Sequence, residues 1–596
     1  MCGIIGYIGD KKSVPILIDG LRRLEYRGYD SAGVAYLENG QITVHRSAGK
    51  LSNLEGILDG KDPGSRIGIG HTRWATHGRP SEENAHPHRS GSLIIVHNGI
   101  IENYLALKKE LVAEGRVFKS ETDTEVIVHL IDRELSKGKG FEDAVRFSLK
   151  KLEGAYALCI LNEKDPDHLI AARKGCPLVA GLGEGEWFIA SDIPAILGHT
   201  RNMIFLEDGD MAILTRKGIQ LKDLNGRKLQ RKTETISWNP VMAERGGYKH
   251  FMLKEIHEQP QAILDTFRGR IYPETREVLL PEFGLKSVEI EGLKKITMVA
   301  CGTSWHAAIV GKYLIEKLAR IPVDVDIGSE FRYRDPILDK GSLLIAMSQS
   351  GETADTLAAM REARKKGARV ASICNVVGST MARESDGVLY THAGPEIGVA
   401  ATKTFTSQIM ALVLMGLYLG RIRKQTRDNE MEELTDGILH LPHAIEDSLQ
   451  GDDVILEIAK KYFKYRDFLF LGRGINYPLA LEGALKLKEL SYIHAEGYPS
   501  GEMKHGPIAL IDENMPVVVL APRDPVYEKV ISNVMEVKAR GGNIIAVAEE
   551  GNKEIENTTA DIIRVPRVHS MLMPIILSIP MQLLAYHIAV LRGCDV

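Results

Sequence analysis

The sequence has no surplus of charge of either sign. Its formal net charge is −4 over 596 residues, which leaves no basic excess for a nucleic-acid backbone. Cysteine is scarce: six residues, at positions 2, 159, 176, 301, 374 and 594, with no CxxC pair among them. That spacing excludes a disulfide framework and a zinc ribbon, and it fits a reducing, cytoplasmic compartment. No secretory leader is expected, because the start reaches Asp10, Lys11 and Lys12 almost at once. Long apolar runs are nearly absent too. Only residues 571–590 lack charge over a bilayer-spanning length, and Pro574, Pro580, Gln582 and His587 interrupt them. A buried helix-turn-helix in a soluble protein is expected there, with no membrane partner.

What is present is ordinary globular material, 44% hydrophobic and 26% charged. The length is too great for one core and calls for three or four compact units. The first part is dense in short β-type runs (residues 42–45, 93–97, 155–161 and 187–190), with helices near 14–24 and 124–135. Antiparallel sheets in an α+β unit follow from that density. Residues 237–250, with Pro240 and Gly246-Gly247, lose periodicity and read as a linker, after which a charged amphipathic stretch opens at Phe251. Beyond residue 290 apolar strands alternate with amphipathic helices: strands at 296–300, 343–347 and 370–374, then again at 467–471, 517–520 and 544–547. The turns Cys301-Gly302-Thr303-Ser304 and Gly472-Arg473-Gly474 correspond, which predicts two doubly wound α/β units related by duplication.

Cys2 carries the first chemical signal. Once Met1 is removed, one carbon bears both a thiol and an α-amine, and the amine titrates near ~7.7–8.0, so it can take the thiol proton. Cleaving an amide also needs oxyanion donors, and Asn98 with the Gly99 N–H offers them where the 93–97 strand is expected to end. Gly3 lets the backbone approach a substrate closely. An amino-acid substrate needs a cation for its carboxylate, supplied by Arg73, and an anion for its ammonium, supplied by Asp123. Asp123 reads equally well as the N-cap of the helix that follows. The histidines His71, His77, His86, His88 and His97 match no compact metal spacing, so no metal is expected.

A second signal lies in Ser348-Gln349-Ser350-Gly351-Glu352-Thr353, between a strand and a helix. Hydroxyls and backbone N–H groups there suit a phosphate, although capping alone explains the same residues. Thr303 and Ser304 end the neighbouring strand and add a second hydroxyl pair. Glu482, Lys486 and Glu489 share one helix face, which reads either as a solvated ion-pair stripe or as a carboxylate base beside an ammonium.

Cys2-Gly3-Ile4, Glu25-Tyr26-Arg27-Gly28-Tyr29-Asp30-Ser31-Ala32-Gly33, the Arg73 segment, Asn84-Ala85-His86-Pro87-His88 and Asn98-Gly99 together resemble the N-terminal-nucleophile glutaminase domain. More narrowly, they resemble that of the glucosamine-6-phosphate synthase family (glutamine–fructose-6-phosphate transaminase, isomerising), and the later region resembles its sugar isomerase (SIS) modules. The likeness extends along essentially the whole sequence. It implies an αββα-sandwich glutaminase domain at 2–238, a linker at 239–250, and doubly wound SIS domains at 251–440 and 441–596. It implies glutamine and fructose 6-phosphate as substrates, a homodimer, and no metal, nucleotide or organic cofactor. Cys2 would be the nucleophile and, through its amine, the general base, with Asn98 and Gly99 as the oxyanion hole. Arg73, Thr76, His77 and Asp123 would hold glutamine, and Trp74 would gate ammonia. Thr303, Ser304, Ser348, Gln349, Ser350 and Thr353 would bind phosphate, with Val399 beside the sugar. Glu489 would be the isomerisation base, with Lys486 and Glu482 as active-site neighbours and His505 of the other subunit assisting ring opening. The family continues into a short Lys-containing tail over the sugar site. This sequence stops at Cys594-Asp595-Val596: either the tail was lost or trimmed or the chain does without it, which leaves ring opening by a tail lysine and coupling of the two sites open.

Among glutamine-using rivals, phosphoribosyl amidotransferases need an acidic pyrophosphate loop and asparagine-forming enzymes an SGGxDS loop; neither occurs. A phosphosugar-sensing regulator would have no use for an N-terminal cysteine domain. A deglycase that consumes amino-sugar derivatives shares the SIS fold and stays open.

Overall fold

The computed structural model describes residues 2–25, 28, 30–58, 64–74, 77–236, 247–272 and 275–596. The chain divides into two compact units, Met1–Ala243 and Glu244–Val596. Residues 239–246 of the expected linker, and Thr76, lie outside the described residues.

In the first unit an eight-stranded and a seven-stranded sheet form the centre. Strand Gly3–Gly9 (β1) pairs antiparallel with Ile67–Arg73 (β2) on one side and Glu186–Ala190 on the other. Leu93–Ile101 (β3) belongs to the other sheet and pairs with Gly154–Asn162. Every residue of β1 and β2 is buried, as expected of strands covered on both faces. Ile4, Ile8 and Ile69 from one sheet share a core with Val96, Ala157 and Cys159 from the other. Helix Ser13–Arg22 covers the first sheet, and Thr124–Ser136 (α1) with Phe141–Leu149 covers the second. The layering is therefore αββα, with all four expected strand segments and both helices in place. One boundary differs. β3 does not end at residue 97 but runs through Gly99 to Ile101. Gly99 holds φ +128°, and a Cβ there would sit 2.0 Å from the Ala155 carbonyl oxygen, so only glycine keeps the ladder closed.

The second unit holds two five-stranded parallel sheets of identical order. In the first, Lys295–Ala300 (β4) lies between Val323–Ile327 and Ser342–Ser348 (β5); Thr303–Ala319 (α2) follows β4 and Ala354–Lys365 (α3) follows β5. Helix Lys403–Ile422 (α4) then packs along α2. In the second sheet Asp467–Gly472 (β6) precedes Tyr477–Ser491 (α5), and Pro516–Leu520 (β7) lies beside β6. Gly302 after β4 has φ +55° and Gly474 after β6 has φ +57°, so the duplication extends to the backbone of the first turn. Each sheet places its second strand outside its first, which puts the switch in winding direction between β4 and β5 and between β6 and β7. One apolar core runs through both halves, joining Ile296 and Met298 with Phe468 and Phe470.

The run at 571–590 corrects an expectation. It forms a single helix, Met573–Leu591 (α6), with Pro574 in its first turn and Pro580 inside it. Proline removes one backbone hydrogen bond, but α6 is apolar all round and buried from Met573 to Ala589, so packing rather than the backbone ladder holds its axis. Among the described residues two helices, α4 and α6, have the length and apolarity to cross a membrane; 83% and 89% of their windows are buried in this core.

Candidate active site

Cys2 precedes β1 directly, and the pairing of β1 with β2 brings it to the end of β2. Trp74 N–H donates to Cys2 Sγ at 3.2 Å, and the thiol reaches the Trp74 carbonyl at 3.6 Å. Gly28 closes this corner: a Cβ there would lie 2.7 Å from the Arg73 carbonyl carbon and the Trp74 nitrogen. Gly3 has a different use from the one expected. A Cβ at Gly3 would meet Thr72 Oγ1 at 2.6 Å and Leu24 at 2.7 Å, so this glycine admits the strand to its sheet. Burial pushes the Cys2 thiol up, against the opposing Trp74 hydrogen bond and the Arg73 charge. The neutral thiol is favoured, and attack requires a base.

Asn98 Nδ2 donates to the Cys2 carbonyl at 2.8 Å, while Asn98 Oδ1 receives His71 Nε2–H at 3.0 Å. His71 Nε2 faces two acceptors, Asn98 Oδ1 and the His97 carbonyl at 3.0 Å, so that nitrogen carries the proton. Burial lowers the His71 pKa to about 3 and keeps the ring neutral. The result is an amide whose NH2 group faces residue 2. His86, His88 and His97 are likewise held neutral by burial, and His97 Nδ1 meets Thr124 Oγ1 at 2.8 Å. His97 thereby ties β3 to α1, His86 Nδ1 accepts the His97 N–H at 3.3 Å, and His88 Nε2 meets Thr122 Oγ1 at 3.1 Å.

Arg73 is 4% exposed. Its Nη2 donates to the carbonyls of His77 and Gly78, and its Nη1 has no hydrogen-bond partner among the described residues. Asp123 is not a side-chain cap for α1. It accepts the Ile101 N–H at 2.8 Å, which ties α1 to β3 and leaves it close enough for its charge to act on Arg73. His77 stands edge-on to Tyr104 at 5.3 Å, and Trp74 is 43% exposed.

In the second unit, Glu482, Lys486 and Glu489 on α5 reach the start of α2. Glu482 and Lys486 are 2% and 1% exposed, so a solvated stripe is excluded. Lys486 Nζ lies 2.6 Å from Glu489, 3.4 Å from Glu482 and 3.1 Å from Thr303 Oγ1. Glu482 accepts from Thr303 Oγ1 at 3.0 Å and meets His306 Nδ1 at 2.7 Å. Burial raises the Glu482 carboxyl, but Lys486 and His306 outweigh it and hold it below its ordinary value. Lys486 is raised because Glu482 and Glu489 outweigh its own burial. Thr303 therefore belongs to this charge group, and Ser304 accepts from Gln408 at 3.0 Å.

The loop after β5 lies at the winding switch, next in the sheet to the turn that leads from β4 into α2. Ser348 Oγ meets Thr353 Oγ1 at 2.8 Å and receives the Gly351 N–H at 3.2 Å; Ser350 Oγ receives the Glu352 N–H at 3.2 Å. Thr353 is the N-cap residue of α3 without a side-chain cap bond, so plain capping does not account for it. Gln349 is half-buried within the loop. Val399, 37% exposed, follows Gly398, whose N–H bonds buried Glu255. Glu255 is pushed up to about 8 by burial and by the charge of Glu396. His505 ends the short segment Ser500–His505, is exposed, and hydrogen-bonds none of Glu482, Lys486 or Glu489. Sequence reasoning missed His71, His306, Gln408, Glu255 and Glu396; only the concentration of histidines around residue 71 offered a signal.

Residues 71–198 match the glutamine amidotransferase domain, and residues 289–418 and 461–592 each match the SIS domain. Fold and sites thus define an amidotransferase domain joined to a duplicated SIS half. Proteins named glutamine–fructose-6-phosphate aminotransferase [isomerizing] align along all of the chain. That of Chlorobaculum tepidum is 51% identical over 603 residues, and that of Methanosarcina acetivorans 48% over 607, each covering 100% of this chain and 98% of the relative. The solved C-terminal domain of glucosamine-fructose-6-phosphate aminotransferase from Francisella tularensis is 43% identical with a TM-score of 0.57, covering 59% of this chain and 99% of that one. The chain belongs to the glutamine–fructose-6-phosphate aminotransferase (isomerizing) family.

Proposed function

We propose that this enzyme hydrolyses glutamine at Cys2 and passes the ammonia within the protein to fructose 6-phosphate, giving glutamate and glucosamine 6-phosphate, the first step of hexosamine synthesis. The observation that carries the first half is the Asn98 amide locked by His71 with its NH2 group toward Cys2. The Cys2 thiol attacks the carboxamide carbon as its proton passes to the α-amine freed by removal of Met1, and the amine then hands that proton to the departing amide nitrogen. Asn98 Nδ2–H and Gly99 N–H bear the oxyanion. Ammonia leaves, and water frees glutamate from the thioester. Arg73, with one nitrogen uncommitted, takes the substrate carboxylate and Asp123 its ammonium, with Thr76 and His77 completing the contact and Trp74 as the gate.

At the SIS half, Ser348, Gln349, Ser350 and Thr353, with Thr303 and Ser304, hold the phosphate, and Val399 lies beside the sugar. Ammonia adds at C2, water is lost, and Glu489 moves the proton from C1 to C2, beside Lys486 and Glu482. His505 is supplied across a homodimer and opens the ring. The glutaminase domain takes residues 2–238 and the SIS domains 251–440 and 441–596, in a cytoplasmic enzyme.

The test uses glutamine labelled with ¹⁵N at the amide and fructose 6-phosphate, with unlabelled ammonium in excess. The amino sugar should carry the label, and Cys2→Ala should abolish glutamine use while fructose 6-phosphate still binds. Retained glutamine hydrolysis in that variant refutes the nucleophile assignment.

A further inference from the structure

The second SIS sheet carries a cavity that this reaction leaves unused. It has a volume of about 1020 Å³ and opens past the carboxyl ends of β6 and β7, at their winding switch. It is the duplicated counterpart of the phosphosugar site. Counting from the paired glycines Gly302 and Gly474, Asn476 takes the place of Ser304, and Lys317 of α2 takes the place of Glu489 of α5. Both Asn476 and Lys317 line the cavity.

The floor is chemically inverted. Where the first domain presents the hydroxyls of Ser348, Ser350 and Thr353, the second presents a carboxylate. Asp524 Oδ1 accepts the Val526 N–H at 2.9 Å, just before helix Tyr527–Ala539, and Asp524 Oδ2 accepts from Asn476 Nδ2 at 3.1 Å. The anion cradle is thus filled by the chain's own anion, and a phosphate entering there meets like charge. Asn476 is 2% exposed; with its NH2 committed to Asp524, its Oδ1 has no hydrogen-bond partner among the described residues. Glu549, 5% exposed, adds a second carboxylate to the lining. Burial pushes the carboxyls of Asp524 and Glu549 up, which a cationic donor would reverse. The mouth is of mixed charge: exposed Arg523, Arg567 and Lys317 stand with exposed Glu433 and Asp447, and the two arginines supply the cations nearest the floor, where their charge acts on Glu549.

We propose that this cavity binds a phosphorylated amino sugar in the reverse sense, its ammonium against Asp524 and the Asn476 carbonyl and its phosphate at Arg523 and Arg567. The volume stands at the upper end for small-molecule sites and accommodates such a ligand with bridging waters. The choice of compound rests on the function proposed above, whose product it is, and it makes the second domain a product-reading site.

Calorimetric titration of the full chain tests it, with glucosamine 6-phosphate and fructose 6-phosphate as probes. Two glucosamine 6-phosphate sites per chain are expected, against one for fructose 6-phosphate. Arg523→Ala with Arg567→Ala, both at the exposed mouth, should remove one of the two and leave turnover intact. Asp524→Asn, which keeps the shape, should weaken that same site by ~10–100-fold. Ser350→Ala with Thr353→Ala should remove the other. A single glucosamine 6-phosphate site that is lost in the Ser350 variant overturns the proposal, as do two sites indifferent to the arginines or two equal fructose 6-phosphate sites. A single site that survives the Ser350 variant and is lost with the arginines sinks the function proposed for the first SIS domain while upholding the cavity.

Discussion

Replacing Lys486 with Met tests whether the buried charge group of the second unit is held as a unit. Methionine keeps most of the side-chain volume and removes an ammonium that touches Glu482, Glu489 and Thr303. Glu482, 2% exposed, is then left with His306 and Thr303 against the full cost of burial. Removing one member of a buried ion pair costs ~3–5 kcal/mol, and the two surviving partners place this case near ~3. At ~2 °C per kcal/mol for a large unit, the second unit's calorimetric transition should fall by ~6 °C near neutral pH. The sign with pH follows from Glu482, whose folded pKa is depressed. Its stabilisation is present above the unfolded carboxylate value of ~4.3 and is lost as pH falls through the folded value, so wild type and variant should converge below ~4.3. Adding Glu482→Gln to Lys486→Met removes the stranded charge and should restore at least half of the loss. An unchanged transition in the single variant, or no recovery in the double one, refutes the reasoning.

Asn98→Ala should lower kcat for glutamine hydrolysis by ~10²–10³-fold, while calorimetric binding of fructose 6-phosphate stays as it was. Gly99→Ala should destabilise the first unit by ~2–6 kcal/mol in chemical denaturation, combining a strained φ with overpacking against the Ala155 carbonyl. Because burial raises the Cys2 thiol, proton removal falls to the α-amine, so kcat/KM for glutamine should decline as pH drops through ~7.7–8.0. A flat profile from pH 6 to 8 would exclude that base.

The elements and the repeat were legible because strand and helix periodicities are local, and so was the shared face of residues 482, 486 and 489. What stayed hidden depended on partners far along the chain. Asp123 looked like a cap until β3 was seen to continue to Ile101, whose N–H claims its carboxylate. The charges on α5 could be read as a solvated stripe because the burial of Glu482 and Lys486 depends on partners such as Thr303 and His306 on α2. His71 carries no local mark of its role, which exists only because β2 and β3 lie in facing sheets. Pro580 misled in the opposite direction: a strong local breaker was overridden by apolar contact on every side.

That last helix has a consequence for synthesis. α6 covers α5, which bears the charge group, and it is translated after both parallel sheets. Until it emerges from the ribosome, the greasy flank of the SIS half stands open to solvent, and α4 waits beside it with a similarly sticky surface. A nascent chain stalled ahead of residue 573 should therefore be a strong client for chaperones, and release of the completed helix should end that dependence.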